Sequence, residues 1–289
     1  MSYSFSFIFS LFFLFFSLFS GQTLAQTAKQ GILLVTFGSS YQQAEKAYEL
    51  IDQKVKKAFP RTPVYWAYTS KKIRNKLAKE GKQIDSPPLA LAKMLEQGFS
   101  EVVVQSLHVI PGEEFDYLKQ VVNSFAHLPK GFKKISLGKP LLYSSKDVKE
   151  VVKKLYPVLP KLNKEEAFLF MGHGTEHPAD VYYAGLNYWL QNKDKRLFLA
   201  TVEGSIELED ILPDLRKNKI KRIYLMPFMS VAGDHAHNDL AGKEEDSWAS
   251  TLTKLGFECV PYLKGLGEIE SVVDIWVKHL QQAYKELDN

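Results

Sequence analysis

The sequence predicts an α/β fold of two similar lobes, each with a central parallel sheet flanked by helices, and an active site in the cleft between them. Three observations carry this expectation. From Gly31 onward, short apolar runs alternate with amphipathic stretches, the rhythm of parallel strands joined by crossover helices. The rhythm restarts near Ala167. Two local patterns also recur just after apolar runs: Phe37-Gly38-Ser39-Ser40 returns 136 residues later as His173-Gly174-Thr175-Glu176, and Gly112-Glu113-Glu114 returns 121 residues later as Gly233-Asp234-His235. Such recurrence points to internal duplication.

Taken in order, Ile32 to Phe37 reads as a buried strand and Gln42 to Phe59 as a helix with Ala44, Ala47, Tyr48, Ile51 and Val55 on one face. Val64 to Tyr68 is the second strand. Pro87 to Gln97 is a helix stopped by Gly98, a residue suited to the left-handed position after a helix end. Val102 to Leu107 is the third strand, running into the loop His108-Val109-Ile110-Pro111-Gly112-Glu113-Glu114, and Ile135 to Leu142 is the fourth. The second set is Ala167 to Met171, Leu197 to Val202, Ile223 to Phe228 and Glu258 to Tyr262, with helices between them and a C-terminal helix from Glu268 to about Leu287. The N-terminal lobe is therefore expected over residues 29–150 and the C-terminal lobe over 160–289, divided near the stretch Lys146 to Lys164.

With 289 residues, 45% hydrophobic and 24% charged, the chain can bury a large core. Tyr3 to Phe19 is almost wholly Phe, Leu, Ile and Ser, and small residues follow at Gly21, Thr23 and Ala25. Residues 1–25 read as a signal peptide, which predicts a periplasmic protein with no stable membrane association once the leader is cleaved. The alternative is an uncleaved anchor, since about 17 apolar residues reach the lower limit for spanning a bilayer. No Lys or Arg precedes the run, so the usual basic n-region is missing. The single cysteine, Cys259, excludes an intrachain disulfide framework and a Cys-rich metal site. A net charge of +4 with lysines scattered among acids supports no nucleic-acid surface, and homo-oligomerisation is left open.

The chain holds no G-x-x-x-x-G-K-[ST], no G-x-S-x-G and no strand-borne G-x-G-x-x-G, so nucleotide-driven chemistry has no sequence support. What remains is histidine and carboxylate. His173 ends an apolar strand between two glycines, where backbone and imidazole can approach a ligand closely. Glu203 follows Leu197 to Val202 and precedes Gly204. His235 and His237 lie in Ala232-Gly233-Asp234-His235-Ala236-His237-Asn238-Asp239, where Asp234 and Asp239 are placed to support a metal ligand from behind. Individually, a hydrogen-bonded turn histidine or a solvated strand-end glutamate explains each residue. Together they set imidazole, carboxylate and imidazole at one end of one sheet, a set that suits a divalent first-row metal and also serves many hydrolases.

Gly31 to Ser40, the loop His108 to Glu114, Met171-Gly172-His173-Gly174-Thr175, Val202-Glu203-Gly204 and Met229 to Asp239 resemble, in order and spacing, the anaerobic sirohydrochlorin cobaltochelatases of the CbiK type. The resemblance spans essentially everything after the apolar leader. It implies a class II chelatase, with the tetrapyrrole held between two α/β lobes and Co2+ inserted into sirohydrochlorin without ATP on the anaerobic route to cobalamin. It places the metal ligands on His173, Glu203 and His235. Insertion removes two pyrrole protons, and imidazole, with an unperturbed pKa of about 6.5, can serve as ligand and base. His173 is then the chief proton acceptor, with His235 beside it, while Glu113 or Glu114 of the other lobe attracts the cation or relays protons. Gly38, Ser39 and Ser40 would offer donors to the macrocycle's carboxylates, with Gly174 and Thr175 also at the substrate.

Fe2+ and Ni2+ accept similar ligands, so ferrochelatase activity is the rival enzyme reading. A periplasmic metal- or haem-binding protein without turnover is the rival from another class. The sequence assigns no residue to haem and gives no role to His108, His127 or His237.

Overall fold

Each apolar run read as a strand forms one. In the first half these are β1 (Gln30–Thr36), β2 (Val64–Tyr68), β3 (Glu101–Ser106) and β4 (Lys134–Gly138). In the second they are β5 (Glu166–Gly172), β6 (Leu197–Thr201), β7 (Arg222–Pro227) and β8 (Glu258–Pro261). The computed structural model describes residues 28–287, so the leader expected over residues 1–25 lies outside the described residues. β4 stops short of the apolar run that predicts it. Beyond Gly138 the chain meets Pro140, which cannot donate to a ladder, and Leu141 and Leu142 are buried as loop residues whose N–H groups donate to the carbonyls of His108 (3.0 Å) and Val109 (2.8 Å).

The two sheets are wholly parallel, with orders β2-β1-β3-β4 and β6-β5-β7-β8. Their pairing registers are the same. Ile32 opposes Val64 as Phe168 opposes Leu197, Gln30 opposes Glu101 as Glu166 opposes Arg222, and Glu101 opposes Lys134 as Arg222 opposes Glu258. The offset of 136 residues carries β1 onto β5 and the offset of 121 carries β3 onto β7, end to end. A slip of one residue would turn every side chain to the opposite face, so the duplication extends to the hydrogen-bond ladder.

Nine helices connect and cover the strands among the described residues: α1 (Ala44–Ala58), α2 (Lys71–Lys79), α3 (Pro87–Glu96), α4 (Glu113–Ala126), α5 (Ser145–Leu155), α6 (Val181–Lys193), α7 (Leu208–Lys217), α8 (Trp248–Lys254) and α9 (Glu270–Glu286). α1 buries Ala44, Ala47, Ile51 and Val55 along one stripe. Gly98 takes φ +80° just beyond the cap of α3, as its position predicts. The loop after β3 is shorter than expected: Gly112 is the cap of α4, and Glu113, Glu114 and Asp116 fill its first turn, where negative charge meets the positive end of the helix dipole.

The inner faces of both sheets share one core. Leu34 and Val103 of the first sheet join Phe168, Phe170, Leu199 and Met226 of the second through residues of α5, α6 and α9. The last helix of each half packs against the other half, α5 on α6 and α9 on β3 and β4. α9 is held there by its buried stripe, including Trp276 and Leu280, by Ser136 Oγ donating to the Ala283 carbonyl (2.8 Å), and by Lys54 pairing with Glu270 and Asp274 (2.7 Å each). Among the described residues no helix is long and apolar enough to cross a membrane.

Candidate active site

The three adjacent strands β6, β5 and β7 end in the loops that bear Glu203, His173 and His235. Neighbouring strands lie about 4.8 Å apart, so their loops bring side chains from distant sequence within reach of one ligand. β5 runs to β6 on one side and to β7 on the other, which makes its carboxyl end the switch point where open α/β sheets bind ligands. The His173 and His235 rings meet edge to face with centroids 4.6 Å apart. Glu203 Oε2 stands 3.8 Å from His173 Nδ1. Side-chain exposures of 45% for His173, 62% for Glu203 and 32% for His235 leave all three open to a ligand from the cleft. Among the described residues no three metal-ligating side chains converge as a preformed cage.

Hydrogen bonds fix which nitrogen each imidazole presents. His173 Nδ1 donates to the Gly174 carbonyl at 3.0 Å, and His235 Nδ1 donates to the Asp239 carboxylate. Both acceptors lack a proton to give, so each neutral ring carries its hydrogen on Nδ1 and offers the Nε2 lone pair. Asp239 lies four residues after His235, a helical spacing that brings side chains together, in a π-helical turn, Ala236–Leu240, of the kind common at functional sites.

The His173 and Glu203 loops are locked together. Gly174 has φ +79°, and a Cβ there would stand 2.2 Å from the Gly204 nitrogen, so only glycine fits. Glu203 N–H donates to the His173 carbonyl at 2.8 Å. Beneath both loops lies Asp180, 8% exposed. It accepts from Thr175 N (3.2 Å), Ser205 N (2.8 Å) and Ser205 Oγ (2.6 Å). Nothing in the spacing of the sequence marked Asp180 as a support.

The Gly38-Ser39-Ser40 loop lies across from these residues. Gly38 has φ +101° with the Tyr68 ring 2.4 Å from where a Cβ would sit. Ser39 Oγ accepts from Tyr41 N at 3.2 Å and lies 3.5 Å from the corresponding point at Gly233, which sets it against the His235 loop. Tyr41, also unmarked by any motif, spans the lobes: its hydroxyl donates to Asp234 (2.9 Å) and its ring stacks on His237 with centroids 4.7 Å and planes 3° apart. The bond to Asp234, aided by burial, holds the Tyr41 hydroxyl above the ordinary phenol range. Among the described residues Glu113 and Glu114 make no side-chain hydrogen bond or ion pair to the loops that carry His173, Glu203 and His235. Their neighbour Asp116 does reach across, accepting from His177 Nε2 at 3.2 Å while Lys119 pairs with it at 3.0 Å. Lys119 chiefly, and His177 with it, hold the Asp116 carboxyl below the usual carboxylate range.

The histidines left without a role in the sequence now have surroundings. His127 caps the far end of α4, its Nδ1 donating to the Asn123 carbonyl (2.8 Å). His108 is buried against Ser106 Oγ at 2.9 Å with Nε2 unpartnered, and burial pushes it down to about 4. His237 stacks on Tyr41. His279, in the buried stripe of α9, lies between the Lys139 carbonyl (3.2 Å) and Asp147 of α5 (3.3 Å).

Residues 30–285 match the protein family described as "Cobalt chelatase (CbiK)". The sirohydrochlorin cobaltochelatase CbiKC of Nitratidesulfovibrio vulgaris is 42% identical over 262 residues, covering 90% of this chain and 93% of that protein. The sirohydrochlorin cobaltochelatase of Salmonella typhimurium is 35% identical over 257 residues, covering 88% and 96%. Among solved structures, SirB from Bacillus subtilis with Fe3+ superposes with a TM-score of 0.58 at 15% identity, over 90% of this chain and 98% of that one. That likeness reports the fold, and it is a chelatase fold of two lobes. The family match over residues 30–285 and the two relatives give one answer: the chain belongs to the CbiK family of cobalt chelatases.

Proposed function

We propose that the protein inserts Co2+ into sirohydrochlorin without nucleotide, exchanging the metal for the two pyrrole N–H protons of the ring. The observation that carries this reading is the pair of imidazoles, 4.6 Å apart, whose Nδ1 atoms are both engaged so that both Nε2 atoms are left for the incoming metal. Glu203 supplies charge beside them, and neutral imidazole with one carboxylate holds a first-row divalent ion while leaving coordination positions open to the ring nitrogens. Because the three side chains are exposed, the metal can leave for a better tetradentate ligand. His173 accepts one ring proton and His235 the other as they release the metal, and Glu203 at 3.8 Å stabilises the His173 imidazolium that forms. Gly38, Ser39 and Ser40 hold the carboxylate rim from the opposite wall, and Glu113 and Glu114 add negative potential on the side from which the cation arrives.

The test is anaerobic: sirohydrochlorin with Co2+, Fe2+ or Ni2+, followed by absorbance for wild type and His173→Ala. Cobalt insertion by the wild type and its loss in the variant support the reading; equal rates in the two refute it. Export is a separate part of the proposal, supported by the apolar run Tyr3 to Phe19 and the small residues after it. Cell fractionation tests it, and cytoplasmic protein of full mass would overturn it.

A further inference from the structure

Two of the contacts between the lobes lie at the loops that carry His173 and His235. On one side Tyr41 of the first lobe meets Asp234 and His237 of the second; on the other, His177 of the second meets Asp116 of the first. The offsets that superpose the strands relate them. An offset of 136 residues carries Tyr41 onto His177, and 121 carries Asp116 onto His237. The residue at the first position grips the residue at the second position of the other lobe, twice. Reciprocity of this kind, residue i on j and j on i, is what a two-fold relation between two copies produces.

Each contact is also tied to a metal-bearing loop. His177 takes part in the turn that carries His173: its N–H donates to Thr175 Oγ1 (3.1 Å) and its Nδ1 accepts from Ala179 N (3.1 Å), which leaves the Nε2 hydrogen to point at Asp116. Asp234 and His237 bracket His235. Both contacts are partly exposed, with side-chain exposures of 25% for His177 and 41% for Asp116. Such pairs are weak and readily exchanged for water. The shared core of α5 and α9, by contrast, joins the lobes through fully buried side chains. A buried joint, which reaches Leu107 and Phe228 at the ends of β3 and β7, and exposed contacts at the loops beyond it are the parts of a hinge and a closure.

We infer that the Tyr41 and Asp116 contacts are matched clasps that hold the lobes closed over a bound macrocycle, and that Tyr41 and Asp116 are positioning residues acting through the closed state they hold. The inference rests on the function proposed above for what is enclosed, and not for the clasps themselves. Both clasps secure one closed state, so releasing either shifts the same equilibrium. Asp116 lies outside the proposed ligand set, and its effect on the second lobe can pass only through His177.

Hydrogen exchange on the full chain without substrate reads the clasps directly, comparing wild type, Asp116→Ala and Asp116→Asn, the last of which keeps an oxygen for His177. Asp116→Ala is expected to raise exchange not only at residues 113–118 and 175–180 but also at the opposite clasp, residues 38–43 and 233–240, with Asp116→Asn close to wild type. In turnover with sirohydrochlorin and Co2+, Asp116→Ala and Tyr41→Leu should each raise KM for the macrocycle about 3- to 10-fold, the scale of one lost hydrogen bond, and leave KM for Co2+ unchanged. Exchange that rises only beside residue 116, an Asn variant indistinguishable from Ala, or KM values for metal and macrocycle that rise together would overturn the inference. If the wild type inserts no metal, the proposed function fails while the exchange comparison still decides the clasps.

Discussion

Replacing Asp180 by alanine tests whether the candidate site is held from beneath. The carboxylate accepts three hydrogen bonds, at 3.2, 2.8 and 2.6 Å, from the loops that follow β5 and β6. Two of them come from backbone N–H groups, and Asp180 itself is 8% exposed. A hydrogen bond to a charged group contributes up to about 3 kcal/mol net, less where the freed donor regains water. Ser205 is exposed and Thr175 half-buried, so the three together amount to roughly 2–4 kcal/mol. At about 2–4 °C per kcal/mol for a chain approaching this size, the melting temperature should fall by roughly 5–10 °C. Function should suffer more than stability. Asp180 binds the turn carrying His173 to the residue after Gly204, and loss of a support behind metal ligands typically costs about 10- to 100-fold in activity or metal affinity. Circular dichroism melts and anaerobic cobalt insertion at a temperature where the variant is folded separate the two effects. A folded Asp180→Ala protein that inserts cobalt within twofold of wild type would refute the reasoning, because the loops would then be holding themselves.

Two further outcomes follow from single side chains. Burial lowers His108 from 6.5 to about 4, so between those values the unfolded chain binds the proton that the folded chain refuses; stability present above pH 6.5 is lost as pH falls toward 4, by about 3 kcal/mol in all. Denaturant melts at pH 7, 5.5 and 4.5 should show a flatter dependence for His108→Leu, and an unchanged slope would mean that other groups set it. Asp239→Ala removes the acceptor that keeps the hydrogen of His235 on Nδ1, and Co2+ titration followed by visible absorbance should weaken about 10- to 100-fold; an unchanged titration would remove His235 from the ligand set.

The sheets were legible in the sequence because parallel strands covered on both faces read as unbroken apolar runs, and the offsets of 136 and 121 residues announced the duplication. α2 was not legible: its residues are mostly Lys, Arg and Asn, and Leu77 is its one buried side chain. The path of α9 was hidden for a different reason. Its pattern of Val272, Ile275, Trp276 and Leu280 declares a buried face without naming what it is buried against, and the partner is the first sheet. His173, Glu203 and His235 could be read because each follows an apolar strand directly or within a short polar cluster. Asp180, Tyr41, His177 and Asp116 could not, since their meaning lies in contacts between segments far apart: Asp116 meets His177 61 residues away and Tyr41 meets Asp234 193 residues away. Carrying the offset of 136 past the glycine to Tyr41 would have brought out His177.

The duplication also shows where the two lobes differ, and that difference supplies a last prediction. The offset that carries Gly38 onto Gly174 carries Phe37 onto His173, so the first lobe has an apolar ring where the second has its central imidazole. Phe37 is 48% exposed, unlike the buried residues before it in β1. A site that delivers metal into a ring must hold the ion from one face and yield it. A third imidazole, at residue 37, would add a ligand that the macrocycle has to displace. Phe37→His should therefore tighten Co2+ binding, read by titration without tetrapyrrole, and slow cobalt insertion at saturating metal, because stabilising the bound metal more than the transition state lowers kcat. An added ligand worth about 1.4 kcal/mol corresponds to roughly tenfold in affinity, and a loss of similar size in rate is expected if the new contact must break before the metal enters the ring. Tighter binding with an undiminished rate would show that metal release does not limit turnover, and unchanged binding would show that residue 37 does not face the metal.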